Sequence, residues 1–384
     1  MAGIAGLASA IALRKAGLEA TVFERSPKAS EIGAGITLWS NAVGILAEWG
    51  VASQLLAQGN IIERGELRDF SGRTLVRTPV AAVGRELGSV SVAVHRAELL
   101  RLLYEKTDSN SVLFGKDCVA VEQDSDGVTA HFADGRQRRC QILIGADGIG
   151  SLVFRDLHGN IPLRYAGYFC YRGITRYSGT DIPLGQAFEN WGPGRRFGVI
   201  RLDAERVFWF ANVNTHPEAL DPDHQVTLSQ AFGTCHYPIP ALLQQTDKGQ
   251  ILRHPIYDRP IRRDQQGRGR IALVGDAAHP LTPDLGQGAC QAIEDAHVLA
   301  YCLGSTTASI TALRNYERIR WPRIRWISRR SRFQGWVGQH STGLGCRLRD
   351  LLMRLTPESV MLRSYCKLVS FQLDDPLNQS GRPS

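Results

Sequence analysis

The chain has 384 residues, 43% of them hydrophobic, which is length and apolar content enough for two or three domain-sized units with a full core. Its formal net charge is +8, and its eight cysteines are scattered without a C-x-x-C pair or clustered histidines, a pattern that argues against structural zinc and a disulfide scaffold and points to a reducing, cytoplasmic setting. No run of 18 or more apolar residues occurs, so no transmembrane segment is predicted.

The chain opens MAGIAGLASAIALRKAGLEATVFERSP. Gly3 and Gly6 bracket Ile4 and Ala5, and Leu7 to Lys15 carry small and apolar side chains at helical spacing until Gly17 ends the run. EATVFER then reads as a short strand ending at Glu24, 18 residues beyond Gly6. This is the second half of a dinucleotide-binding βαβ unit. Glycines there allow a tight turn and close approach of a pyrophosphate to the helix N-terminus, and an acid about 20 residues on receives the ribose hydroxyls. Met1 stands where the first glycine of G-x-G-x-x-G belongs, so the first strand of the unit is expected to be truncated.

Strand-like runs follow in SVSVAVH, CVAVEQ, GVTAHFA and CQILIGADG, with DSDG and ADG marking hairpin turns. Between Tyr165 and Ile251 the runs lengthen to YAGYFCYRGITRY, RRFGVIRL and RVFWFANVN, which predict one antiparallel sheet. After GRIALVGDAAH the helical pattern returns. It includes RNYERIRWPRIRWISRRSR, read as a solvated helix face with its tryptophans packed inward, although so many arginines could also meet nucleic acid or anionic lipid. No nucleic-acid motif accompanies it, and DDPLNQSGRPS reads as a loose tail. The predicted fold is α/β: a discontinuous nucleotide-binding domain over 1–70, 91–160 and 262–325, a β-sheet substrate domain over 71–90 and 161–261, and a C-terminal helical segment over 326–384. The cleft between the two domains is where a ligand is expected.

Three segments carry chemistry. The glycine turn with Glu24 is the first, and LIGADGIGS, with Asp147 and Gly148 at the end of a strand, is the second. In the third, RIALVGDAAHPLTPDLGQGACQAIEDAHVLA, a buried strand is followed by Asp276 and a loop that opens a helix near Gly286. Asp276 can accept hydrogen bonds from sugar-type hydroxyls. Gly286, Gln287 and Gly288 leave backbone N–H groups at a helix N-terminus, where partial positive charge favours an anion.

This combination, above all G-D-A-A-H-P with P-x-x-G-Q-G and E-D-A, resembles the FAD-dependent monooxygenases of the single-component aromatic hydroxylase type, which include para-hydroxybenzoate, salicylate and urate hydroxylases and zeaxanthin epoxidase. The resemblance implies a Rossmann-like FAD-binding domain and oxygen transfer through a flavin C4a-hydroperoxide in a dry cleft, with NADH or NADPH and O2 as co-substrates. It implies that Glu24 binds the adenosine ribose, Arg25 lies near the adenine, and Gly3 and Gly6 adjoin the pyrophosphate. Arg96 would reach the phosphate and ribityl region, Asp147 would serve FAD and the visiting nicotinamide, and Asp276 would hold the ribityl chain. The backbone of Leu285 and Gly286, with Gln287 and Gly288, would face the flavin N1–C2 edge, and Pro283 would flank the ring. Where the family usually has arginine three residues after the serine of the D-G motif, Ser151 is followed by Phe154, with Arg155 one later, which weakens a nucleotide role for Arg155.

The expected substrate is a small aromatic or heteroaromatic molecule, handled by a monomer or homodimer without nucleic acid. Arg196 falls on the strand where related hydroxylases direct an arginine at the substrate, with an ordinary surface or cofactor-side arginine as the alternative. Tyr171 is a candidate catalytic hydroxyl or a core residue, and His279 is expected to tie down the flavin loop. Phe208 and Phe210 share one strand face and Val207 and Trp209 the other, with the pocket-lining set undecided by sequence. Epoxidation, or attack on a polyketide or terpenoid, fits the same fold. A reading of a different class is a truncated, non-catalytic homologue acting as an interaction module.

Overall fold

The computed structural model describes residues 1–29, 33–306 and 308–373; the expected tail, 374–384, lies outside the described residues. The first helix, Ile4–Lys15, starts directly after Gly3 and is buried over almost all of its first three turns. Gly6 is required there, because a Cβ at this position would fall 1.9 Å from the Met1 carbonyl oxygen. The helix packs along Gly288–Gly304, and the two small-residue faces allow close approach. Val22–Phe23 pairs in parallel with Val112–Leu113, and Leu143–Gly145 in parallel with Ile271–Leu273. Among the described residues no backbone ladder joins these two parallel pairs.

The expected hairpin forms from Cys118–Gln123 and Val128–Phe132, turned by Asp124, whose Oδ1 accepts from the Asp126 and Gly127 amides. Ser91–His95 lies between Gly35–Leu38 and Asn60–Ile62 in a separate three-stranded sheet.

The large sheet has seven strands. Its order is Leu252–Asp258, Arg164–Arg176, Arg206–Asn214, Arg195–Arg201, Gln186–Gly192, Arg64–Asp69 and Thr74–Thr78. All neighbours are antiparallel except Gln186–Gly192 beside Arg64–Asp69, which run parallel. Two boundaries therefore differ from the sequence expectation. Residues 64–69, assigned by sequence to the first domain, ladder with the sheet, and Val80–Leu87, assigned to the β-sheet domain, is a helix. Pairing with a distant strand leaves no local mark on so polar a run as RGELRD.

Strand alternation gives the sheet two faces with different fates. Phe169, Tyr171, Phe188, Phe197, Val199, Val207, Trp209 and Ala211 form a core with helices His224–Phe232 and Ile239–Gln245. The opposite face, carrying Tyr168, Arg172, Glu189, Arg196, Phe208 and Phe210, turns toward the nucleotide-binding part. The chain closes with helices Ser309–Gly338, Gly343–Leu355 and Glu358–Val369, the last two lying against Thr74–Thr78. No helix among the described residues is long and apolar enough to cross a membrane.

Candidate functional site

The strand Ile271–Leu273 delivers the chain into Gly275, whose φ of +58° lies in the left-handed region that glycine alone adopts freely. Asp276 follows, open to the cleft yet with protein on most sides. That loss of solvation pushes its carboxyl up, opposed by the nearby charges of His279 and Arg96. The loop is held from behind. Asp295 Oδ2 accepts from the Gly275 amide at 2.8 Å and lies 2.6 Å from His279 Nε2, while its Oδ1 accepts from Arg320 Nε at 2.8 Å. Burial alone would raise Asp295, but His279 and Arg320 hold it below the ordinary carboxylate range. His279 thus ties down the loop, and the acids of E-D-A are its buried anchors, Glu294 accepting from Arg320, Arg323 and Asn41.

Pro283–Leu285 forms a 3-10 turn, Gly286 takes φ +61°, and the helix Gly288–Gly304 begins without a side-chain cap. The Gly286 amide closes the turn on the Pro283 carbonyl at 2.9 Å. The amides of Leu285, Gln287 and Gly288 find no acceptor among the described residues. Pro283 and Gly286 are exposed on the cleft side. The Gln287 side chain instead turns inward, its Oε1 accepting from Asn41 and Gln291. Trp39, which the sequence reading did not single out, donates from Nε1 to the Leu285 carbonyl at 3.1 Å and shapes the turn from beneath.

Glu24 is buried, and each of its oxygens accepts one backbone amide, Ala2 at 2.6 Å and Ser26 at 2.9 Å, which leaves further lone pairs for a hydroxyl. Arg25 is exposed beside it, and Gly3 precedes the first helix. Arg96 follows the Ser91–His95 strand and shares the cleft with Asp276 and Arg172; burial and Arg172 lower its guanidinium while Asp276 opposes this. Asp147 accepts from Ser151 Oγ at 2.5 Å and from the Val153 amide at 3.1 Å, so it also caps the helix Leu152–His158. Phe154 is buried where the family carries arginine. Arg259 stacks on its ring at 3.7 Å and donates to the Ile149 and Ala277 carbonyls, bringing a guanidinium between these two loops from a distant segment.

Two expectations for the substrate side change. Tyr171 lies on the far face of the sheet, where its hydroxyl donates to Asp221 at 2.5 Å and receives from Arg253; alternation along its strand turns Tyr168 and Arg172 to the cleft and Tyr171 away. Arg196 is on the cleft face but is 1% exposed. Its guanidinium pairs with Asp284 of the flavin loop, donates to Gln339 Oε1 at 2.9 Å and lies 3.4 Å from Glu189, while Tyr168 donates to both Asp284 oxygens at 3.0 Å. The arginine therefore clamps the loop to the sheet. Phe208 and Phe210 share its face, and Gly198 is needed because a Cβ there would meet the Phe210 ring at 2.0 Å. Glu189 was not foreseen: burial raises its carboxyl against Arg196, and its Oε1 has no hydrogen-bond partner among the described residues. A helix polar residue betrays itself by period, but one carboxylate in QAFENWG carries no such signal.

The residues fit a flavin nucleotide. Free amides at an uncapped helix N-terminus suit the electron-rich edge of the ring, Asp276 and Arg96 suit ribityl hydroxyls and phosphate, and Arg196 and Tyr168 join the loop to the sheet face that carries Phe208 and Phe210. Fold and site together define a flavin-dependent oxidoreductase of the oxygenase class. The FAD binding domain family model matches residues 2–165 and 212–331, and the chain belongs to this family, that of the FAD-dependent monooxygenases. It is 36% identical over 355 residues to the aurachin C monooxygenase/isomerase of Stigmatella aurantiaca, covering 92% of each chain. It is 36% identical over 371 residues to the 3-amino-4-hydroxybenzoate 2-monooxygenase of Streptomyces cremeus, covering 94% of this chain and 92% of that protein. Among solved structures it is similar to Klebsiella pneumoniae HpxO complexed with FAD and uric acid, with a TM-score of 0.89 at 31% identity over 96% of this chain and 95% of that one.

Proposed function

We propose that this monooxygenase uses NADH or NADPH to place one oxygen atom of O2 on a small heteroaromatic or aromatic ring held between the flavin loop and the Phe208–Phe210 face. The observation that carries the reading is the turn at 283–288, which leaves amides without acceptors opposite an apolar aromatic surface. Relatives named for aurachin C, for an aminohydroxybenzoate and for uric acid support a flat substrate bearing ring nitrogen, amino or hydroxyl groups.

In this reading Gly3, Gly6, Glu24 and Arg25 hold the ADP half of FAD, Asp147 lies beside the diphosphate, and Arg96 and Asp276 hold the phosphate and ribityl chain. The amides of Leu285, Gln287 and Gly288 stabilise negative charge on the ring edge they face. When bound, FAD supplies the redox chemistry, taking a hydride from the nicotinamide and activating O2. Pro283, Phe208 and Phe210 exclude water from the reacting atoms. Glu189, its carboxyl raised by burial, is suited to take a proton from an acidic N–H or O–H of the substrate, with Arg196 stabilising its ionised form. The FAD-binding part comprises the segments before the Arg64 strand, from Ser91 to about 160 and from about 262 onward, and the seven-stranded sheet carries the substrate side.

The test is direct. Purified protein should be yellow, and quinolones, aminohydroxybenzoates and urate should be screened for stimulated oxidation of NADH and of NADPH, with label from ¹⁸O2 sought in the product. A colourless protein that takes up no added FAD, or a flavoprotein whose products never carry the label, refutes the proposal.

A further inference from the structure

The helix Gly343–Leu355 is amphipathic in the wrong direction. Leu344, Leu348, Leu351, Leu352 and Leu355 are between 51% and 82% exposed, whereas Cys346 and Arg349 face inward, Arg349 lying 5.4 Å from the Trp191 ring. At 3.6 residues per turn the five leucines fall within an arc of about 100°. The stripe continues past the preceding turn. Phe333 and Trp336, just past the arginine-rich stretch, are 55% and 67% exposed with ring centroids 6.0 Å apart. Trp336 reaches His340 at 6.3 Å, and His340 in turn lies against Gly345 of the leucine helix. Contiguous apolar surface of this kind marks an interaction site.

Charge identifies the partner. Residues 321–373 carry ten arginine and lysine side chains against two carboxylates, so this segment alone accounts for the net charge of the chain. Exposed Arg325, Arg329, Arg347 and Arg363 have no partner among the described residues. Arg347 flanks the leucine stripe on its own helix, and Arg329 precedes Phe333 by one turn. A second copy of the chain would bring these like charges face to face, and a nucleic acid would leave the leucines in water. We propose that this face is an interfacial membrane-binding surface, its leucines, Phe333 and Trp336 seated at the headgroup boundary and its arginines on anionic lipid phosphates. The inner side of the same helix lies against strand Thr74–Thr78 and the Trp191 ring, so the bilayer would lie beside that end of the seven-stranded sheet. The proposal stands apart from the choice of substrate.

The test is flotation of the FAD-loaded full chain with vesicles of phosphatidylglycerol and phosphatidylcholine, and with vesicles of phosphatidylcholine alone, at low and raised salt. The chain should float with the anionic vesicles and less so as salt rises. The double variant Leu348→Glu/Leu352→Glu should bind at least about tenfold more weakly, because it removes apolar insertion and adds repulsion. Both side chains are in solvent, so its flavin content and absorbance should match the parent. Absence of flotation by the parent, or equal binding by the variant, overturns the proposal. So does a concentration-dependent dimer that the same variant dissociates without any vesicle binding, which would assign the face to a second copy.

Discussion

The Arg196–Asp284 pair offers the sharpest test of how the flavin loop is held. Both side chains are removed from water, at 1% and 0% exposure. Deleting one partner of a buried ion pair costs about 3–5 kcal/mol, because the other charge stays buried and uncompensated. Arg196→Met strands Asp284 with only the Tyr168 hydroxyl, so it belongs near the upper end. Asp284→Leu leaves Arg196 with Gln339 and with Glu189 at 3.4 Å, so about 3 kcal/mol is expected. Replacing both charges removes the penalty along with the attraction, and the double variant should recover about 2–3 kcal/mol relative to the sum of the singles. Urea unfolding followed by tryptophan fluorescence, compared at equal m, reads all four proteins. Additivity within about 0.5 kcal/mol would show that the pair is not a buried clamp. In parallel, each single variant should retain FAD less well than the double, since the loop they release carries the amides we propose to face the flavin ring.

Gly286→Ala forces a left-handed φ of +61° on a residue with a side chain and sets its Cβ 3.0 Å from Trp39 Nε1, so a loss of about 1–2 kcal/mol together with weaker FAD retention is expected in thermal melts and flavin titration. Burial pushes the Glu317 carboxyl up to about 7 against Arg314 and the Gly267 amide; the folded state therefore holds its proton more tightly, and this group's contribution to stability falls as pH rises from about 4.5 to about 7. Glu317→Gln should flatten the stability profile across that window, and an unchanged profile would reject the assignment. Tyr171→Phe, on the far face of the sheet, should leave substrate-stimulated NAD(P)H oxidation within about twofold of the parent, whereas loss of turnover would return Tyr171 to the site. Phe210→Ala should raise KM for the aromatic substrate without lowering flavin content, checked by steady-state kinetics beside the absorbance ratio of the bound flavin.

What the sequence by itself determined is local. The glycine turn into the first helix, the D-G and G-D-A-A-H-P strand ends and the left-handed Gly286 are all set by residues within a few positions of one another, because turn geometry, helix initiation and strand exit are decided by neighbouring side chains. The division of Phe208 and Phe210 from Val207 and Trp209 was legible for the same reason, through the two-residue repeat of a strand. Tertiary structure decided which side was which. Helices His224–Phe232 and Ile239–Gln245 cover the Trp209 face, leaving the phenylalanines to the cleft and carrying Tyr171 away from it. It likewise decided that Arg196 pairs with Asp284, that Arg259 fills the place beside Phe154, and that the leucines of Gly343–Leu355 look outward. A periodic pattern fixes that two faces differ, but which of them is buried depends on what packs there, and those packing partners come from segments far along the chain.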